Sequence, residues 1–389
     1  MKVLLAGACL QPEWTGGEPW VARVLGEGFR ARGFEVVEDP ALRPSSGLVG
    51  MGLSPLDWDL PSVHHYHRLL ERIRPDVILG FYNYDNSLTR AAREMGIPLV
   101  VSVHIYWPIC PVGTLYIEGR GICPHPSLGR CVAHMASSLP PTRLPLNLKT
   151  LPAPAGFIAY AKSRMRKQEL GAAAAVVVPG QHVQHALEAL GYTNLRSIAI
   201  GKPVRSIEAR EWPGGEKRIL FASGAPTERK GFHHFEEVAR RLRSVAPDLR
   251  FVATSFRGNE WVEGLGRLPY EEVMREIGRA YLVVSPSLWD EPFSGTVIEA
   301  MASGKPVVGY STGGTPEIIG DAGVLVRPGD VEGLTREVRG LLTDEDRTRA
   351  LGRAARQRVE RLYDLDHMID AYADLLREIV GRSSAPRVS

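Results

Sequence analysis

A chain of 389 residues is longer than a single hydrophobic core usually grows, so two domains of roughly 150 to 200 residues are expected. Its 44% hydrophobic and 23% charged residues are those of a globular protein, and a net charge of +3 is too small to make nucleic acid the partner. No apolar run reaches the roughly 18 residues of a membrane-spanning helix, and four cysteines in so long a chain do not build a disulfide scaffold, so a reducing cytoplasm is the expected compartment.

In chain order, MKVLLAGACL opens with a lysine, a short apolar run and a cysteine. A buried first strand over residues 3–6 accounts for it better than a secretion signal, because amphipathic helix follows at once. PWVARVLGEGFRARG (19–33) places Val21, Val24, Leu25 and Phe29 on one helical face and closes at Gly33. EVV (35–37), the helix RLLERI (68–73), DVILG (76–80), the helix SLTRAAREMG (87–96) and PLVVSVH (98–104) follow. Continuous apolar strands separated by helices predict a parallel sheet covered on both faces. The second half repeats the grammar: RILFAS (218–223), HHFEEVARRLRSV (233–245), LRFVAT (249–254), EEVMREIGRA (271–280), YLVVSPS (281–287), a helix from about Thr296 and PVVGY (306–310).

The fold class is therefore α/β, with two Rossmann-like, doubly wound domains facing a central cleft and ligands expected at the carboxyl ends of the strands. The expected boundaries are 1–200 for the first domain, with an insertion at about 104–150, and 201–217 for a Pro- and Gly-rich linker. Residues 218–365 form the second domain, 366–381 a helix packing back on the first, and 382–389 a disordered tail. Neither GACLQPEWTGGEPW nor GAPTERKGF has the G-x-G-x-x-G of a dinucleotide fold, which argues against a nicotinamide enzyme.

Three strand-end loops attract attention. Gly16 and Gly17 precede the first helix and can turn backbone N–H groups toward a ligand. The run from Ser223 to Gly231 contains Gly224, Arg229 and Lys230 between a strand and a helix, where a diphosphate would bind. In DEPFSGTVIEAMASGKPVVG (290–309), Glu291 lies on the loop and Glu299 in the helix that begins near Thr296. Anionic phosphate suits that helix N-terminus, and the two carboxylates beside it suit hydroxyls, a combination that describes a nucleotide sugar. The alternative for Glu299 is a capping box, Thr296-x-x-Glu299.

Here the residues resemble a family. The E-x7-E of Glu291 and Glu299, AMASGKPVV, and GGTPEIIGDAGVLVRPGD (313–330) closely resemble the donor-binding domain of retaining glycosyltransferases of the GT-B fold, family 4, the glycosyl transferases group 1. Residues 224–231 are similar to that family's G-R-L-x-x-x-K-G, and TGGEPWVARVLGEGFRARGFEV resembles its N-terminal glycine loop and helix. The resemblance implies a retaining, metal-independent transferase moving a sugar from a nucleoside-diphosphate sugar to an acceptor hydroxyl on a glycan, lipid-linked or small molecule. It implies that Glu299 holds the ribose, Glu291 a hydroxyl of the donor sugar and Lys230 the diphosphate. Phe293, Ser294, Gly295 and Thr296 would offer backbone N–H groups, and His104 would stand near the transferred sugar, so that His104, Glu291 and Lys230 carry catalysis. No cofactor is required for that chemistry. Ala225 stands where the family usually has an arginine, for which Arg229 is the candidate replacement, and Ile105 stands where an aspartate commonly follows the histidine. Those two departures keep a second reading open, a catalytically degenerate nucleotide-sugar-binding subunit, beside an epimerase or phosphorylase of the same fold.

Cys110, Cys123, Cys131 and His134 supply four N/S donors within a short insertion, as a structural zinc site would, with His125 as a competing ligand; free thiols and a disulfide are the alternatives. Trp14, Trp20, Tyr82, Tyr84, Tyr106 and Trp107 are candidates for an acceptor-stacking wall. The cations of AYAKSRMRKQEL (159–170) fit either a solvated helix face or peripheral contact with an anionic membrane on its inner face. Asp57-Trp58-Asp59 spells a D-x-D but falls in a Pro-rich loop and is not read as a metal site.

Overall fold

The computed structural model describes residues 1–10, 16–39, 60–81, 86–110, 112–124, 126–138, 152–212 and 214–384. The chain divides into two compact units, the first made of Met1–Ile117, Cys123–Ala199 and the chain from Met368, the second of Glu118–Ile122 and Ile200–His367. Asp57-Trp58-Asp59, Trp14, Tyr82, Tyr84 and His125 lie outside the described residues.

In chain order the first unit contains β1 (Lys2–Ala6), α1 (Gly17–Ala31), β2 (Glu35–Asp39), α2 (Leu60–Ile73), β3 (Val77–Gly80), α3 (Asn86–Glu94) and β4 (Leu99–Ser102). The two-residue strand β5 (Tyr116–Ile117) comes next, while β6 (Gly121–Ile122), the strand after it in the chain, falls in the segment that belongs to the second unit. Then follow α4 (Leu128–Ser138), α5 (Pro152–Gly171), β7 (Ala175–Val178), α6 (Gln181–Glu188) and β8 (Leu195–Ser197). Its sheet runs β2-β1-β3-β4-β7-β8, parallel throughout. VILG, LVVS and AVVV of β3, β4 and β7 are buried at every position, as strands covered on both faces must be. Edge strand β2, EVVED, carries its acids instead, which blunts an otherwise open edge. α1 lies on this sheet by Val21, Ala22, Leu25 and Phe29, one apolar stripe at helical spacing.

The second unit holds β9 (Arg218–Phe221), α7 (Phe232–Arg243), β10 (Arg250–Ala253), β11 (Glu263–Gly264), α8 (Tyr270–Arg279) and β12 (Leu282–Ser285). After these come α9 (Gly295–Ala302), β13 (Val307–Tyr310), α10 (Thr315–Ile319), β14 (Val324–Val326), α11 (Val331–Thr343) and α12 (Glu345–Leu362). Its parallel sheet runs β11-β10-β9-β12-β13-β14. Counted within the unit this is the order 3-2-1-4-5-6, which reverses direction between β9 and β12 and leaves a crevice at the carboxyl ends of those two strands. Phe235, Phe251, Leu282, Val284, Val308 and Val338 form its core beneath that crevice.

Residues 200–212, read from the sequence as part of a linker, are built into the second unit. Val204 is fully buried, Lys202 N–H donates to Tyr363 O at 2.9 Å, and Arg210 N–H donates to Ser303 O at 3.2 Å. The last helix, α13 (Leu365–Ser384), contributes Met368 onward to the first unit. There Gly28 of α1 has room for no side chain, since a Cβ would come within 2.6 Å of Ile369, and Arg32 pairs with Asp370 at 2.6 Å.

Candidate functional site

The crevice between β9 and β12 is a cavity of about 230 Å³. Its walls are the end of β9 and the loop Ala222–Ala225, Arg229 and Lys230, the end of β12 with Ser287 and Glu291, and Ser294, Thr296 and Val297 at the start of α9. The strand-end loops that sequence reasoning marked in this half thus meet at one point of the fold.

Local chemistry explains the shape. Ser223 N–H donates to Thr254 Oγ1 at 2.9 Å, and Thr254 Oγ1 donates back to Ser223 O at 2.8 Å, which fixes the loop after β9. A single 3-10 turn, Glu228–Lys230, then ends at Gly231 in the left-handed region, φ 68°. Any Cβ at Gly231 would lie 1.8 Å from Pro286 O, so only glycine lets the cation turn approach the loop after β12 so closely. Leu288 N–H donates to Arg229 O at 2.8 Å and closes the contact. On the other side Gly313, φ 53°, sits where a Cβ would be 2.4 Å from the Glu291 backbone, and Gly314 N–H donates to Glu291 O at 2.8 Å. Glu291 is therefore held by its own main chain.

The charges are matched. Lys230 Nζ donates to Glu291 Oε1 at 2.6 Å, and Ser287 Oγ donates to Glu291 Oε2 at 3.3 Å. An ammonium has three donors, so Lys230 keeps two for another ligand. Arg229 has no carboxylate partner among the described residues; its guanidinium lies 5.2 Å from the Trp289 ring centroid, and Lys230 Nζ lies 5.4 Å from the same ring. Trp289 thus holds both cations by their attraction to its π face. Opposite them, α9 begins at Gly295 with Ser294 as N-cap and no side chain capping it, so its first N–H groups and its positive dipole end face the cavity.

Glu299 departs from its expected setting. It lies in the second turn of α9, with Ser294 rather than Thr296 at the cap, and the capping box does not form. Its carboxylate is buried, 2.7 Å from Lys202 Nζ, and accepts from the Tyr270 hydroxyl at 3.2 Å. Desolvation, then the Glu299 charge, raises the pKa of that hydroxyl. Glu299 does not line the cavity itself. Phe293, just ahead of the helix, packs edge-on against Tyr363, ring centroids 5.6 Å apart. Lys202 and Tyr270 are functional candidates that sequence reasoning missed. The signal available was that Glu299 is too deeply placed on its helix to remain unpaired, but its partners are remote in sequence. A second cavity of the same unit, lined by Arg210, Trp212, Lys305, Arg349 and Arg353, contains none of the positions singled out above.

In the first unit Gly16, φ 122°, is the N-cap of α1 and Gly17 its first residue; both are exposed, and no side chain caps the helix. His104 follows β4, is 9% exposed, and burial pushes its imidazole down to about 4, so it is neutral near pH 7. Tyr106 and Trp107, expected on an acceptor wall, are buried in the core of this unit, because Cys110 N–H and Ile109 N–H both donate to Tyr106 O and fold the segment inward. Trp20 is half-buried.

The cysteine cluster is buried, and its thiols are free rather than paired in disulfides. Cys110 Sγ lies 3.5 Å from His134 Nδ1, while His134 Nε2 lies 3.3 Å from Thr114 Oγ1. Burial first, and then Cys110 and Cys123 nearby, push the Cys131 thiol up to about 11. A zinc shell needs all of its ligands about 2.0–2.3 Å from one centre. Among the described residues no group of three or more such side chains is gathered closely enough to hold a metal ion. On α5, Arg166 Nη1 donates to Trp107 O at 3.2 Å, which turns one cation of the basic stretch inward. No described helix is long and apolar enough to cross a membrane.

Comparison with known proteins agrees with this geometry. Residues 253–358 match the family model for glycosyl transferases group 1. The chain is 30% identical over 192 residues to a glycogen synthase of Mycobacterium tuberculosis, covering 43% of this chain and 46% of that protein. It is 33% identical over 171 residues to a sulfoquinovosyl transferase of Arabidopsis thaliana, covering 38% and 33%. The chain therefore spans less than half the length of either relative. Among solved structures, a sucrose-phosphate synthase from Thermosynechococcus elongatus superposes with a TM-score of 0.67 at 18% identity, over 98% of this chain and 99% of that one. Anabaena HepE in complex with UDP-glucose gives 0.66 at 17%, over 97% and 100%. These likenesses show the GT-B fold, and residues 253–358, within the second unit, are similar to the glycosyl transferases group 1.

Proposed function

We propose that the chain is a retaining, family 4 glycosyltransferase that moves a sugar from a nucleoside-diphosphate donor to an acceptor hydroxyl without a metal. One observation carries this reading: Lys230, Arg229 and the uncapped N-terminus of α9 converge on the cavity at the β9/β12 switch point, with Glu291 at its rim. Cations and N–H dipoles in that position suit a diphosphate, and neutralising it with protein groups removes the need for a bound cation. The two free donors of Lys230 and the guanidinium of Arg229 take phosphate oxygens, so Arg229 supplies the contact that Ala225 cannot. Glu291, oriented by Lys230 and Ser287, accepts from a hydroxyl of the donor sugar. Glu299 accepts from the ribose, with Lys202 and Tyr270 fixing the position of its carboxylate. HepE, solved with UDP-glucose, supports a nucleotide sugar as donor.

Retention is what the family resemblance implies, and the setting of the carboxylates suits a route to it without a covalent intermediate. Both are engaged by cations and hydroxyl donors, which leaves neither as a nucleophile for a covalent glycosyl intermediate. Departure of the nucleoside diphosphate, stabilised by Lys230, Arg229 and the α9 dipole, contributes a few kcal/mol of barrier lowering. The acceptor oxygen then attacks on the face the leaving group vacates, forming the new C–O bond while its proton passes to an oxygen of the departing diphosphate.

The test is release of nucleoside diphosphate from UDP-, GDP-, ADP- and dTDP-linked sugars, with EDTA present. Release from one nucleotide series, lost in Glu291→Gln, supports transfer chemistry. Release that requires inorganic phosphate would instead indicate a phosphorylase, and no release alongside tight donor binding would indicate a degenerate subunit.

A further inference from the structure

Where related chains commonly follow the histidine with an aspartate, this one has Ile105, so something else must orient His104. In the first unit the ring stands at the end of a buried hydrogen-bonded chain. Tyr372 of α13 lies 2.7 Å through its hydroxyl from Ser102 Oγ, and Ser102 Oγ lies 2.9 Å from His104 Nε2. Tyr372 is 2% exposed and Ser102 1% exposed.

The direction of the chain can be worked out. Among the described residues Ser102 Oγ is the hydrogen-bond partner of the Tyr372 hydroxyl, so a tyrosine that did not donate to it would bury an unmade O–H. Burial also raises the Tyr372 pKa, so the phenol keeps its proton. With its oxygen accepting from Tyr372, Ser102 has its own proton to give, and His104 Nε2 is the acceptor in reach. A neutral imidazole that accepts at Nε2 must carry its proton at Nδ1. His104 Nδ1 is itself buried and has no protein partner among the described residues. Phe81 stacks on the ring at 6.5 Å between centroids, a contact that restricts the ring and offers it no hydrogen bond.

We infer that Tyr372 and Ser102 are positioning residues that lock His104 in its Nδ1–H tautomer and present it as a hydrogen-bond donor to an oxygen of bound substrate, not as a base. This rests on the proposed transferase reading only for the identity of that substrate. Proton acceptance by Nδ1 is excluded in this state, because the tautomer already has its proton there. The last helix of the chain thereby takes part in the site of the first unit through one hydroxyl, by a route that does not depend on the residue after the histidine.

The full chain labelled with 15N-histidine, read by long-range 1H–15N correlation at pH 7 without substrate, tests this directly, with His104 assigned by loss of its signals in His104→Gln. The expected result is a neutral ring protonated at Nδ1, moving toward a mixture of tautomers in Ser102→Ala and less far in Tyr372→Phe, which conserves volume. A ring protonated at Nε2, or one unchanged in Ser102→Ala, overturns the inference. With a donor sugar that turns over, Ser102→Ala should lower kcat several-fold and leave donor KM in place, as expected of a group acting through His104. Failure of the wild-type chain to bind any nucleotide sugar would refute the transferase reading while leaving the tautomer result intact.

Discussion

The candidate residues of the two units sit in different electrostatic settings. In the second unit both candidate acids are matched to a cation: Glu291 with Lys230 at 2.6 Å, Glu299 with Lys202 at 2.7 Å. In the first, Gly16, Gly17 and His104 bring no charge, since His104 is buried and neutral. A site for a diphosphate needs fixed charge and close backbone approach, and these leave conspicuous marks: adjacent cations, spaced glutamates and glycines that nothing else can replace. A site that binds neutral hydroxyls needs only shape and well-oriented dipoles. The donor half is consequently the more legible of the two.

That contrast can be broken most severely at Lys202. Removing it as Lys202→Met leaves Glu299 buried and uncompensated, which should cost about 3–5 kcal/mol of stability. Denaturant unfolding should register the loss, and Glu299→Gln in the same chain should recover much of it. Next comes Gly231→Ala. The left-handed backbone alone costs about 1–3 kcal/mol for a non-glycine residue, and the overlap with Pro286 O adds to it, so a total near 3 kcal/mol is expected, together with loss of donor binding.

In the first unit the expected effect depends on pH. His104 titrates near 4 in the folded chain against 6.5 for the ordinary side chain, because burial disfavours its charged form. The unfolded chain therefore binds more protons between those values, so this contribution is complete above about pH 6.5 and is lost as pH falls toward 4. The loss reaches about 3 kcal/mol. Unfolding measured across that range should show a shallower acid dependence in His104→Gln; an equal slope in both proteins would contradict the burial of a neutral ring. The smallest effect is expected at Arg229, where alanine should weaken donor binding about tenfold, or 1.4 kcal/mol, without changing stability. Unaltered donor affinity would show that Ala225 goes uncompensated.

Particular residues show how far sequence reasoning reaches. Apolar runs marked most of the sheet strands, because a strand buried on both faces must be aliphatic throughout, and the repeated grammar of the two halves implied two doubly wound units. Strands β7 and β8, short and placed beyond the insertion, were not singled out. Glu291, Lys230 and Arg229 were legible because strand-end loops gather at a switch point by topology. The roles of Lys202 and Tyr270 were not, since each reaches Glu299 from a distant segment, and 200–212 reads as a linker until its packing is seen. Thr296-x-x-Glu299 satisfies the capping pattern, but Ser294 takes the cap, and the glutamate answers to tertiary partners instead. Tyr372 lies far along the chain from Ser102, and nothing local announces their contact.

The central claim is that the second unit holds a nucleoside-diphosphate sugar by its own cations. Isothermal titration of UDP-, GDP-, ADP- and dTDP-sugars into the full chain, with and without EDTA and beside Lys230→Ala and Glu299→Ala, tests it most directly. The account predicts saturable binding of one nucleotide series, unaffected by EDTA and weakened at least tenfold in both variants. Binding that needs a divalent cation, or that survives both substitutions unchanged, would contradict it.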